Sequence, residues 1–190
     1  MKVNVCIVTF PLLRAGITPL LNLVELFSGL ADRVYVVSGG AALENLNFDA
    51  DVEMMRVDHK ASSKLSMRII NYMHTQLKIL CYIAVISRKA DLFVFFIGGE
   101  ILPVPMLALK LLSKKIVLMP GNIATRLYSI KKDPLSKPLS LLVSISSSLA
   151  DRLIVYSRNL ISEGKFTRYQ HKILIAHRHF VDFTKFTMRK

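Results

Sequence analysis

Four short stretches put glycine or polar residues shortly after apolar runs. Ala15-Gly16 follows the run at residues 2–10, Gly98-Gly99-Glu100 the run at 90–97, Gly121-Asn122 the run at 115–119, and Ser157-Arg158 the run at 152–156. If the runs are strands of a parallel sheet, these residues collect at its carboxyl edge. Free backbone N–H groups and helix amino ends meet there, which suits binding of an anionic ligand.

Other side chains that can do chemistry stand in poorer company. Asp49-Ala50-Asp51 has the spacing of a divalent-cation motif facing a sugar nucleotide, but no third oxygen ligand lies near it, so it reads as a solvated loop. His171, His177 and His179 lack the fuller ligand set of a zinc site and read as loop or hinge histidines. Cys6 and Cys81 have no metal or redox spacing and are expected as buried reduced thiols. We therefore expect no metal and no cofactor.

Charge is unevenly placed. The 190-residue chain carries a formal net charge of +13, yet residues 1–58 hold four basic and seven acidic residues, against twenty-two and six in residues 59–190. No acid occurs in 59–90 or in 101–132. Fields of one sign attract phosphorylated ligands, nucleic acid or an acidic membrane surface. In the long helical pattern at 64–88, Lys64, Arg68, Asn71, Thr75, Lys78 and Tyr82 step by three and four residues onto one face. Leu65, Ile69, Met73, Leu77, Leu80 and Ala84 form the other. Such a basic face fits an anionic ligand or lipid surface, as do Arg126, Lys131 and Lys132 in the polar, proline-interrupted stretch 123–138.

The elements that must hold these residues alternate. Strand patterns fall at 2–10, 33–38, 52–57, 90–97, 115–119, 152–156 and 172–176, with the third nearer an edge because charges enter it. Helical patterns fall between them. The first has Thr18 as N-cap, Pro19 at the first helical position, and Leu20, Leu21, Val24, Phe27, Ser28 and Ala31 toward the sheet; the last, short one is capped by Ser157 and ends near Glu163. This order predicts one α/β domain over 1–190, a Rossmann-like parallel sheet with helices on both faces. The 52% apolar content suits strands buried on both faces. Apolar runs stay shorter than a membrane span, and the amino end shows no signal-peptide pattern, so a cytoplasmic place is expected.

Ala-Asp followed by an apolar strand occurs three times, at Ala31-Asp32, Ala90-Asp91 and Ala150-Asp151. The last copy continues as Arg152-Leu-Ile-Val-Tyr-Ser157, a further strand pattern at 172–176, and Val181-Asp182 with Phe186. This resembles the end of the N-terminal domain of group 1 (family 4) glycosyltransferases, which have the GT-B fold. The chain departs from that pattern at His179-Phe180, where members usually have Asn-Gly, at Ala15-Gly16 for Gly-Gly, and at Pro120-Gly121-Asn122, where many place a histidine. Nor is there a glutamate pair spaced by seven residues; Glu44 and Glu53 are nine apart.

The resemblance implies the acceptor-side half of a retaining hexosyltransferase that takes a sugar from a nucleotide-sugar donor. The acceptor would be lipid-linked, phosphorylated or a glycan, and the C-terminal donor-binding domain is expected outside this chain, leaving this part inactive alone. It implies that Ala15, Gly16, Gly98, Gly99, Glu100, Gly121, Asn122, Ser157 and Arg158 line the donor and acceptor cleft. Glu100 either orients an acceptor hydroxyl or is a helix-start carboxylate. Lys64, Arg68, Lys78, Arg126, Lys131 and Lys132 would meet the anionic acceptor or the inner face of a membrane. The alternative is a non-catalytic basic module binding a nucleotide or nucleic acid. Nucleic acid is the weaker partner, because no phosphate-cradling glycine motif and no aromatic-basic interleaving is present.

Overall fold

The computed structural model describes residues 3–40, 50–120, 135–164 and 166–176. The expected alternation resolves into β1 (Val5–Thr9), α1 (Ile17–Ser28), β2 (Val34–Ser38), β3 (Val52–Arg56), α2 (Leu65–Ile86) and β4 (Leu92–Phe96). Then come α3 (Pro103–Leu111), β5 (Lys115–Leu118), α4 (Ser136–Leu149), β6 (Arg152–Val155), α5 (Asn159–Glu163) and β7 (Ile173–Ile175). All seven strands pair in parallel, in the order β3-β2-β1-β4-β5-β6-β7. The domain is therefore the Rossmann-like α/β sheet that the sequence predicts, with β3 on an edge.

Successive strand residues point to opposite faces, so each face has its own core. Val5, Ile7, Val36, Val94 and Phe96 meet Leu20, Leu23 and Val24 of α1. Cys6, Val8, Val37, Phe93 and Phe95 meet Ile79, Ile83 and Ile86 of α2 and Met106 and Leu109 of α3. Burial pushes the Cys6 thiol far up, as expected of an inert core thiol. Cys81, expected in the core as well, is exposed on α2.

The recurring Ala-Asp pairs act at the amino edge of the sheet. Ala31, Ala90 and Ala150 are buried where a helix gives way to a strand. Asp91 Oδ2 accepts the Asn4 N–H at 3.0 Å, and Asp151 Oδ2 accepts the Ile116 N–H at 2.9 Å. Each carboxylate thus closes the exposed start of the neighbouring strand, a job any parallel sheet has. Burial works against the charge on Asp151, but Lys110 and the Ile116 N–H outweigh it and hold the carboxyl below its usual range.

Several local expectations change. Helix α1 begins at Ile17, because a 3-10 turn at Arg14–Gly16 runs straight into it; Gly16 is the N-cap and Thr18 lies inside the first turn. Leu23, rather than Ser28, completes its buried stripe, and Ser28 is exposed, donating to the Val24 carbonyl at 3.0 Å. Helix α5 starts at Asn159 with no side-chain cap, so Ser157 contributes its carbonyl to Leu160 N–H and not its hydroxyl. Lys172 precedes β7, buried with Nζ donating to the carbonyls of Ser148 and Ala150, where a cation suits the carboxyl end of α4.

Helix α2 differs most. Periodicity divides it into a basic face and an apolar face. The buried positions are instead Thr75, Gln76, Ile79, Ile83 and Ile86, while Leu65, Ile69, Met73 and Leu77 are 44–52% exposed. Polar side chains can lie inside because each finds a partner. Thr75 donates to the Asn71 carbonyl at 2.8 Å and Gln76 Oε1 accepts the Val104 N–H at 3.2 Å; half-buried Tyr72 donates to the Ile101 carbonyl at 2.6 Å, and Asn71 to the Lys60 carbonyl at 2.7 Å. By length and composition α2 is also long and apolar enough to cross a membrane.

Candidate functional site

The carboxyl edge is assembled by tight turns. Thr9 and Ser38 share a buried hydroxyl–hydroxyl bond of 2.6 Å that ties the end of β1 to the end of β2. Gly40 has φ +124° and lies so close to Leu12 that a Cβ would stand 2.3 Å from its carbonyl oxygen. Gly98 has φ +78°, and a Cβ there would stand 2.6 Å from Phe10 Cβ. Both positions need glycine, for backbone shape and for room.

Phe10, directly after β1, is the centre of an aromatic cluster. Its ring meets the His59 ring edge-on at 4.8 Å and the Tyr72 ring at 6.3 Å. His59 Nδ1 lies 2.8 Å from Thr75 Oγ1, whose only proton goes to the Asn71 carbonyl at 2.8 Å. The hydroxyl must therefore accept from Nδ1–H, which leaves Nε2 with a lone pair. Burial lowers the His59 pKa and favours that neutral ring. Among the described residues no hydrogen-bond partner is found for Nε2. A neutral, oriented imidazole at a sheet's carboxyl edge can take a proton from a hydroxyl. Sequence reading passed over His59; the usable signal was its place just after β3, among residues that start a long acid-free stretch.

The expected site residues divide. Gly16 is half-buried at the start of α1, with Ala15 exposed beside it. Gly98 and Gly99 pack against Phe10 and Phe95 and so shape the turn rather than line open space. Glu100 is 3% exposed in the turn Gly99–Ile101, two residues ahead of the Leu102 cap of α3. Ser157 is half-buried and Arg158 exposed, across the sheet from His59. Lys64 is exposed just ahead of α2, Arg68 is half-buried, and Lys78 lies 3.8 Å from Asp58. Gly121, Asn122, Arg126, Lys131 and Lys132 fall outside the described residues, as do Asp49, His177 and His179. Asp51 and His171 are exposed, and among the described residues no three His, Cys, Asp or Glu side chains gather as a metal site.

Sheet order defines a Rossmann-like α/β domain, and comparison of structures matches it to one half of proteins with the GT-B fold. UDP-GlcNAc 2-epimerase from Methanocaldococcus jannaschii superposes with a TM-score of 0.58 at 11% identity, over 90% of this chain and 45% of that one. Arabidopsis thaliana UGT89C1 complexed with UDP-L-rhamnose gives 0.59 at 14%, over 95% and 54%. Acinetobacter baumannii MurG gives 0.51 at 12%, over 82% and 42%. This chain thus spans about half the length of the structures it matches, and at these identities the likeness is one of fold. No protein-family model matches the sequence, and no curated protein matches it significantly.

Proposed function

We propose that this chain is the acceptor-side domain of a glycosyltransferase that moves a sugar from a nucleotide-sugar donor to a lipid-linked, phosphorylated or glycan acceptor. The observation that carries the reading is the oriented His59 at the carboxyl edge of a GT-B-like sheet that spans half of its structural neighbours. One of those neighbours is complexed with UDP-L-rhamnose, which makes a UDP-sugar the first donor to try. A second, donor-binding domain would complete the cleft, hold the diphosphate and neutralise it as it leaves. The chain alone would then hold the acceptor without turnover. Donor and acceptor serve as substrates, and the reading calls for no metal or other cofactor.

The resemblance to family 4 favours retention of anomeric configuration. His59 favours a second reading, inversion: the acceptor oxygen bonds to the anomeric carbon, its proton passes to Nε2, and the bond to the nucleoside diphosphate breaks with its electron pair. We place the reaction at the cytoplasmic face of a membrane, because the acid-free stretches of the chain suit an anionic, lipid-linked acceptor.

The test is transfer of labelled sugar from UDP-GlcNAc or UDP-glucose into chloroform-soluble product, by membranes supplied with the donor-binding domain, with and without the chain. Label that does not depend on the chain overturns the proposal, and the anomeric proton coupling of the product decides between retention and inversion. Tight, steeply salt-dependent retention of single-stranded RNA on filters without transfer would instead restore the nucleic-acid module.

A further inference from the structure

The orientation of α2 leaves an apolar surface facing away from the sheet. Ile69, Ile70, Met73 and Leu77 are 46–57% exposed and recur at helical spacing. Helix α3 packs beside α2 in the same layer and adds Leu107 at 49% and Leu111 at 78%. Apolar side chains exposed singly are ordinary, but this many on two helices packed side by side mark a surface that something covers.

Charge indicates the occupant. Neither α2 nor α3 contains an acidic residue. Lys64 stands exposed at the amino end of α2, with Arg88 and Lys89 exposed beyond its carboxyl end. A second copy would set these cations against their own kind on a chain of net charge +13. An anionic bilayer instead offers hydrocarbon to the apolar stripe and headgroup phosphates to the cations around it.

We infer that the outer face of α2 and α3 docks on an anionic membrane surface, with α2 lying in the interface and not across it. Crossing would strip Thr75, Gln76, Ile79, Ile83 and Ile86 from the sheet and break the Gln76 bond to Val104. Depth is limited to the outward side chains, the boundary between headgroups and acyl chains. This docking rests on the membrane location proposed above, but the surface is a different one: the sequence pattern set the basic face of α2 against lipid, and much of that face is turned inward.

Co-sedimentation of the full chain with phosphatidylcholine vesicles, with and without phosphatidylglycerol, tests it. The expected result is binding to the anionic vesicles only, weakened about tenfold or more by Ile70→Glu with Met73→Glu and less by Arg88→Gln with Lys89→Gln. Circular dichroism checks that the variants fold. In the unaltered chain, an environment-sensitive dye on exposed Cys81, which shares the stripe with Leu77, should shift to the blue on anionic vesicles. Equal binding by the Glu variant, no dye shift, or a self-associated chain that the Glu pair dissociates and that ignores vesicles each overturns the inference. Vesicle docking without any sugar transfer would support the inference while removing the enzymatic reading.

Discussion

The two edges of this sheet use similar residues for opposite ends. At the amino edge, Asp91 and Asp151 spend their carboxylates on the N–H groups of Asn4 and Ile116, and the Lys110 cation is held by Asp151. At the carboxyl edge, Thr75 also spends its hydroxyl on a backbone carbonyl, but in doing so it fixes the His59 ring with Nε2 open. A recurring motif in the sequence thus marks strand closure, while the candidate base of the proposed reaction is a histidine without any motif. Spacing along the chain registers what repeats, and a sheet repeats its construction more often than its function.

Replacing a residue at each edge should separate the two roles. His59→Gln is expected to lower the rate of sugar transfer about 10²- to 10⁴-fold, the usual yield of a general base, while the urea midpoint moves little; an unchanged rate would return the carboxyl edge to a structural role. Asp151→Ala should cost about 1–3 kcal/mol by leaving the Ile116 N–H without its acceptor, with the rate per folded molecule unchanged. Gly98→Ala should cost about 1–3 kcal/mol, because its left-handed backbone resists a side chain and Phe10 must shift; it should also reduce transfer, since Phe10 supports His59.

The smallest effect is that of pH. The folded state resists protonation of His59, so its contribution is fully present above the ordinary histidine pKa near 6.5 and is lost as pH falls from there through the lowered value of the folded ring. Asp58 and Lys60 flank it in the chain, Lys78 lies 3.8 Å from Asp58, and Tyr72 stands across Phe10. Asp151 has a lowered pKa, so its contribution is lost only as pH falls below the usual carboxylate range, about 4. Urea midpoints measured from pH 8 to pH 3 should show both steps; His59→Gln should remove the upper one alone and Asp151→Ala the lower.

Much of the fold was legible in the order of residues. Seven apolar runs became seven strands, and short connections with helical patterns left little choice but a parallel sheet with right-handed crossovers. The carboxyl-edge stretches were legible too, although Gly98 and Gly99 turned out to be packed and Glu100 buried. His59 was not, because its meaning comes from Thr75, sixteen residues away, and from Phe10, just past the end of another strand.

Helix α2 marks the limit most clearly. Its sequence determined that it is a helix, that its two faces differ, and that acids avoid it. Which face turns inward was settled only by the assembled domain, where the Val104 N–H, the Ile101 carbonyl and the Lys60 carbonyl wait for Gln76, Tyr72 and Asn71. Hydrophobic burial is non-directional and would accept either apolar stripe, whereas a hydrogen bond needs its partner at one place.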